Sequence, residues 1–322
     1  MKKTINATHI EGLLYQHNLE LKTTGEKSKN PGTQYITGTI DIATDNALTN
    51  IVPVHFTYVT AVTFTGKTSD TYNTLKNIID KVYGTVMADG AEKATKLRVD
   101  SAIGLNEFFA ERDGQEELVS AKRNEGGFIH VVANNDLNPD ENARNTFKCD
   151  MIITGYVYKE GNEERNIPEK GIIKGCVFNF RNEMLPVEFS ATNPNAMSYF
   201  EGLEASQTNP VFTQVWGRQI SETVVNKKVT ESAFGEASVT ETRFNRKDFI
   251  ITGAAKEPYV WDDESSITAT EFREIIAKRE VALATMKQQR EEYKASKANA
   301  ISPAAPAAGG FKFESTSVLK HD

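Results

Sequence analysis

The sequence predicts a mainly β chain of the α+β class, built as two small antiparallel barrels in tandem and continued by a long C-terminal helix and a flexible tail. Three observations carry that expectation. From about Thr33 to Gly253 the chain is a succession of short alternating or β-branched runs, among them YITGTIDIA, NIVPVHFTYVTAVTF, KLRVDSAIG, MIITGYVY, VFTQVWGRQIS and DFIITGA, parted by clusters of Gly, Asn and Pro. Such runs read as antiparallel strands. Only two short helical stretches interrupt them, so the strand–helix alternation of a parallel sheet is missing. The string IITG stands both at Ile152–Gly155 and at Ile250–Gly253, which points to a duplicated unit. A chain of 322 residues has room for about two cores.

The elements follow in order. A strand from about Gly12 to Leu21 opens the first barrel, and the lysine-rich turn Lys22–Lys29 is a loop or a phosphate-contacting arm. In SDTYNTLKNIIDKVYG, Ser69 or Asp70 caps a helix that carries Tyr72, Leu75, Ile78, Ile79 and Val82 on one face. NPNAMSYFEGLEAS repeats that pattern with Met197, Phe200 and Leu203. Thr268 and Glu271 form a capping box for the C-terminal helix. Its front half, with Phe272, Ile275, Ile276, Val281, Leu283 and Met286, packs on the second barrel, while KQQREEYKASK projects into solvent as a charged helix. SPAAPAAGG is a flexible linker and FKFESTSVLKHD a short tail.

The repeat extends beyond IITG. Asn50–Phe56 matches Glu183–Phe189, with Pro53 against Pro186 and Phe56 against Phe189. A glycine-centred strand precedes each, at Gly38 and at Gly175; one of the two helices follows, then a strand with Arg98 or Arg218, then IITG. The first copy is longer, and its extra residues fall in NEFFAERDGQEELVSAKRNEGG and NNDLNPDENARN. A unit of about five strands with a glycine in its first strand and a helix before the later ones is an oligonucleotide-binding (OB) type of barrel, since a residue without Cβ lets the strand coil. The expected division is 1–160 and 161–262 for the barrels, 263–299 for the helix and 300–322 for linker and tail.

The strings YITGTIDIATDN with NIVPVHFTYV, and VWGRQISETV with SAFGEASV, resemble bacteriophage-encoded single-stranded DNA-binding proteins with tandem OB domains. The resemblance implies sequence-independent binding of single-stranded DNA in phage-type replication or recombination, in the host cytoplasm. It also implies that the C-terminal helix and tail recruit replication or recombination proteins, or serve self-association.

Binding of that kind needs exposed aromatic faces for the bases and cations for the phosphates. In the second copy the candidates are Phe178, Phe180 and Arg181 on the first strand, Trp216 and Arg218 on the third, and Arg243, Phe244, Arg246 and Lys247 before the last. The first copy offers His55, Tyr58, Arg98, Lys148, Tyr156, Tyr158 and Lys159, and the extra segment adds Lys122, Arg123 and Phe128 about a Gly126-Gly127 turn. Any of these rings can instead be core, because alternation alone does not say which face of a strand is inside.

Several chemistries are excluded. A formal net charge of −7 rules out a surface that is basic throughout, leaving a local groove. TFTGKTSD lacks the first glycine of a phosphate loop, and DLNPDEN lacks the glycine and final glutamate of a calcium loop. The five histidines show no paired metal spacing, and Cys149 and Cys176 read as reduced and buried. No enzyme, cofactor or metal is expected, and the absence of a long apolar run makes an intracellular protein with no membrane partner. The rival expectation is a phage virion or tail protein assembled from repeated β-domains.

Overall fold

A computed structural model describes residues 4–301 apart from 64, 113, 133–136, 163–166, 231–233, 235–237 and 263–266. For 112, 223–230, 238–245 and 297–301 it describes the backbone alone. The strands are β1 (Asn6–His17), β2 (Glu20–Thr23), β3 (Gln34–Ala43), β4 (Ile51–Thr60), β5 (Lys96–Arg112), β6 (Gln115–Val131), β7 (Asn145–Lys159), β8 (Lys170–Phe178), β9 (Met184–Ala191), β10 (Val211–Thr230) and β11 (Ser238–Ala254). The helices are α1 (Asp70–Ile79), α2 (Val86–Asp89), α3 (Pro194–Gly202) and α4 (Ala269–Ile301). The chain is thus mainly β with a C-terminal helix, and its strands form one 11-stranded sheet.

The order of neighbours in that sheet returns on itself twice. β1 pairs with β3, β3 with β4, β4 with β6, β6 with β5, and β5 with β1 again. In the same way β7 pairs with β8, β8 with β9, β9 with β11, β11 with β10, and β10 with β7. Every pairing is antiparallel except the seams β4–β6 and β9–β11. Two closed rings of five strands result, joined edge to edge where Asn6–Ile10 of β1 meets Asn145–Cys149 of β7.

The repeat read from the sequence is present, with one correction. Ile152–Gly155 does not close the first unit; it lies in β7, the strand that opens the second ring, whereas Ile250–Gly253 lies in β11, the last strand of that ring. Identical strings occupy non-equivalent strands because IITG suits any half-buried strand. The true counterpart of β7 is β1, which starts at Asn6, ahead of the expected Gly12.

Each ring encloses its own core. Ile10, Leu14, Ile36, Ile40, Val54, Phe56 and Val99 fill the first, with Leu75 and Ile78 of α1. Phe147, Met151, Ile173, Val177, Phe189 and Phe249 fill the second, with Met197 and Phe200 of α3. Ser69 caps α1 by accepting from the Tyr72 amide, and Val82 lies past the helix end, exposed. Gly38 has a φ of +129°, and a Cβ there would lie 2.6 Å from the Asn18 carbonyl oxygen, so the expected glycine coil in β3 is real.

The segment expected to be extra in the first copy is a long β5–β6 hairpin, with Arg112 opposite Gln115 at its tip. It is no insertion: the second ring has an equally long β10–β11 hairpin, and the apparent excess came from matching the IITG of β7 with that of β11. Gly126 and Gly127 do not form its turn; they sit within β6 at a bulge opposite Asp100–Ala102. The capping box is formed, with the Thr268 amide donating to Glu271 Oε2 at 2.9 Å and the Glu271 amide to Thr268 Oγ1 at 3.1 Å. Beyond it, α4 does not project freely. Arg279 binds Glu107 at 2.5 Å, and Arg290 and Lys294 bind Glu116 at 3.3 and 3.4 Å, so the helix lies along the first ring's hairpin. The charged segment finds carboxylates there that no local pattern could have matched to it. No helix among the described residues is long and apolar enough to cross a membrane.

Candidate nucleic-acid interface

The junction of the rings builds a face that neither copy has alone. Cross-strand partners share a face of a sheet, and a row runs from Arg218 on β10 through Thr146 on β7, His9 on β1 and Asp100 on β5 to Phe128 on β6. Two residues along the strands, the next positions are Trp216 opposite Lys148 on one side, and Arg98 between Glu11 and His130 on the other. All point away from the cores, because the alternate positions Phe147, Cys149, Ile10, Leu97 and Val99 are buried. Five strands at about 4.8 Å make this face roughly 20 Å wide.

Its rings and cations are accessible. Phe128 is 72% exposed and Trp216 39%. Lys148 and Arg218 are exposed and, among the described residues, neither joins an ion pair; Arg218 donates to the neutral Asn142 Oδ1. Arg98 lies 3.8 Å from Asp100, which also accepts from His9 Nδ1 at 2.8 Å. The face therefore carries three cations against one exposed carboxylate, on a chain whose formal net charge is −7.

The other expected residues are scattered. Phe178 is a correction: it is 1% exposed, packed with Ile152, Phe212 and Phe272 beneath α4, and offers no ring face to a base. Phe180 is 84% exposed with the Arg181 guanidinium 5.1 Å from its ring, but Arg181 lines a cavity of about 630 Å³ together with Glu107, Glu183, Glu271 and Glu274. Tyr156 packs on the second core, and the Tyr158 hydroxyl donates to Glu169 at 2.5 Å, a bond that raises its pKa. Lys159, next to them, is exposed. Carboxylates thus surround this group, an unfavourable setting for phosphate.

Lys122 and Arg123 serve the ring seams. Lys122 reaches from β6 into the second ring, where its Nζ donates to the Glu188 carbonyl and lies 5.4 and 5.3 Å from the centroids of Phe189 and Phe249. Burial lowers its pKa, with the like charge of Lys170 adding to the effect. Arg123 donates to Glu125 at 2.7 Å, and Glu125 also accepts from Thr57 at 3.2 Å. Near them His55 has its pKa lowered, first by burial and then by Arg123. Tyr58, 49% exposed, stacks on Tyr35 with centroids 4.6 Å apart. Arg246 is paired with Glu222 at 3.4 Å, and Lys247 is exposed, opposite Ser221 in mid-hairpin. Arg243 and Phe244 pair with Val225 and Val224, and their side chains lie outside the described residues.

Thus Trp216, Arg218 and Arg98 are brought together, joined by Lys148, Phe128, His9 and His130. The pairing of β1 with β7 does this, and nothing in either segment announces it. Cys149 and Cys176 are buried thiols, burial pushing the first well up and the second to about 12. Among the described residues no group of three or more His, Cys, Asp or Glu is arranged to hold a metal.

A family model described as YorF matches residues 4–289. The chain belongs to the YorF family. No curated protein matches it. Six solved chains do. Two of them are crystal structures of the single-stranded DNA-binding protein from Thermus aquaticus. The wild type is 11% identical with a TM-score of 0.45, covering 79% of the YorF chain and 94% of its own. A deletion mutant of the same protein gives 11% and 0.45, covering 82% and 100%.

Proposed function

We propose that this YorF chain binds single-stranded DNA without sequence preference, in the phage-type replication or recombination that its sequence resemblance implies. One observation carries the reading. An outward face shared by both rings sets the exposed rings of Trp216 and Phe128 among Lys148, Arg218 and Arg98, with a single exposed carboxylate, on an otherwise acidic chain. Bases stack on aromatic faces and phosphates follow cations, with no base-specific contact required. The proposed mechanism is passive: the strand is held extended, protected and kept from reannealing.

The same reading takes each ring as an OB-type barrel. Five strands close through one parallel seam, and a helix enters between the third and fourth. We put the division between the two barrels at the connection from Val131 to Asn145, since β7 belongs by its partners to the second.

Oligo-dT titrated into the Trp261→Phe variant, which leaves Trp216 as the sole indole, should quench its fluorescence. Affinity should fall steeply with salt, with a log–log slope near −2 for the three cations, and Lys148→Gln should flatten that slope by about 0.7. No quenching at low salt, with large particles in light scattering, would replace this reading by that of an assembly protein.

A further inference from the structure

Gly171 and Gly253 are the glycines of the second ring at which a Cβ would run into an aromatic ring, and Gly253 is the one whose partner lies on the shared outward face. Its φ lies outside the left-handed region, so the backbone tolerates any residue there. What excludes a side chain is Trp216: a Cβ on Gly253 would lie 2.4, 2.5 and 2.7 Å from indole Nε1, Cε2 and Cζ2. The two residues are direct cross-strand partners on β10 and β11, and Lys148 flanks the indole from β7 on the other side. One part of the indole thus fills the space over Gly253 while 39% of the residue stays open to solvent. A large aromatic side chain so placed has lost its rotamer freedom before any ligand arrives.

We propose that Gly253 is a positioning residue, which seats Trp216 as a preformed platform for one nucleobase beside the phosphate-neutralising Lys148. This rests on the single-stranded DNA-binding reading above. It differs from a packing role in its consequence: the glycine should matter to affinity only while the indole is present.

The test is a double-mutant cycle read by anisotropy of fluorescein-labelled oligo-dT, with circular dichroism and melting temperature taken for every protein. Trp216→Ala should weaken binding about five- to a hundredfold, the range for loss of one stacked base. Gly253→Ala should retain the fold and weaken binding about five- to tenfold by tilting the ring away. In the Trp216→Ala background it should change affinity less than about twofold. Gly253→Ala with wild-type affinity, or with the same loss in both backgrounds, overturns the proposal and leaves DNA binding standing. Wild-type protein that binds no oligo-dT overturns both. Should Gly253→Ala unfold, the cycle is run with Trp216→Phe, whose smaller ring leaves room for the methyl. A folded Gly253→Ala there, with affinity within about twofold of Trp216→Phe alone, supports the seat, and unfolding in the Trp216→Ala background as well rejects it.

Discussion

In the first ring Glu125 accepts hydrogen bonds from Thr57 and Arg123 beside the β4–β6 seam, its side chain 37% exposed. In the second, Asp248 accepts from Ser190 and Lys170, both at 2.7 Å, beside the β9–β11 seam, its side chain 11% exposed. Thr57 follows Phe56 and Ser190 follows Phe189, so acid and hydroxyl recur at matching points of the repeat, while the cation comes from β6 in the first ring and from β8 in the second. Lys122 makes the difference. It enters from the first ring's hairpin, donates to Glu188 and covers the second seam. Both seams are closed by the same chemistry, but burial by a neighbouring unit decides how much that chemistry is worth, because a charge pair screened by water contributes little and one shielded from it is costly to break.

The largest effects should treat the rings alike. Phe189→Ala removes a ring that packs on Phe147 and Phe249 with centroids 5.0 and 5.8 Å away, and Phe56→Ala opens the corresponding place in the first core. Each should cost about 3–5 kcal/mol in guanidinium unfolding. A loss below about 1 kcal/mol at one position only would mean the repeat is not structural there. Next in size, the seams should part company: Asp248→Ala should cost about 2–3 kcal/mol by stranding Lys170 and Ser190, and Glu125→Ala no more than about 1. Equal costs would remove burial as the reason for the difference. Smaller again, Glu116→Gln should loosen α4 from the first hairpin by about 0.3–1 kcal/mol, and the effect should vanish in 1 M salt, a loss to be followed by hydrogen exchange along α4.

Acid should separate the rings most gently. The described histidines, His9, His17, His55 and His130, all lie in the first ring. Burial holds His17 and His55 below the ordinary value of 6.5 in the folded chain, so the unfolded chain takes up protons first as pH falls. Their stabilising contribution is therefore complete above about pH 6.5 and is lost as pH falls through the lowered folded values. Urea midpoints measured between pH 7.5 and 5 should decline for the first ring and stay level for the second, and the variant with His17→Asn and His55→Gln should flatten the first. An unchanged slope in that variant would assign the acid sensitivity to carboxylates.

Much of this was legible in the chain. Ser69 and the Thr268–Glu271 box announce their helix starts because caps are local chemistry. Phe56 and Phe189, aligned by the repeat, are both core. Phe178 and Trp216, by contrast, are each an aromatic residue of an alternating strand, and they end on opposite sides: one beneath α4, the other in solvent.

What the sequence by itself determined, then, is whatever depends on neighbours along the chain: the strand and helix types, their caps, the duplication and its apolar interiors. The tertiary structure alone decided the rest. Pairing β1 with β7 moves His9 and Arg98 beside Arg218 and Lys148, laying α4 along β5–β6 turns a free charged helix into a brace, and Gly253 acquires its meaning only opposite Trp216. Strand register and contacts between distant segments are set by the fit of whole surfaces. A run such as IITG therefore pairs equally well in two different places and cannot by itself say which.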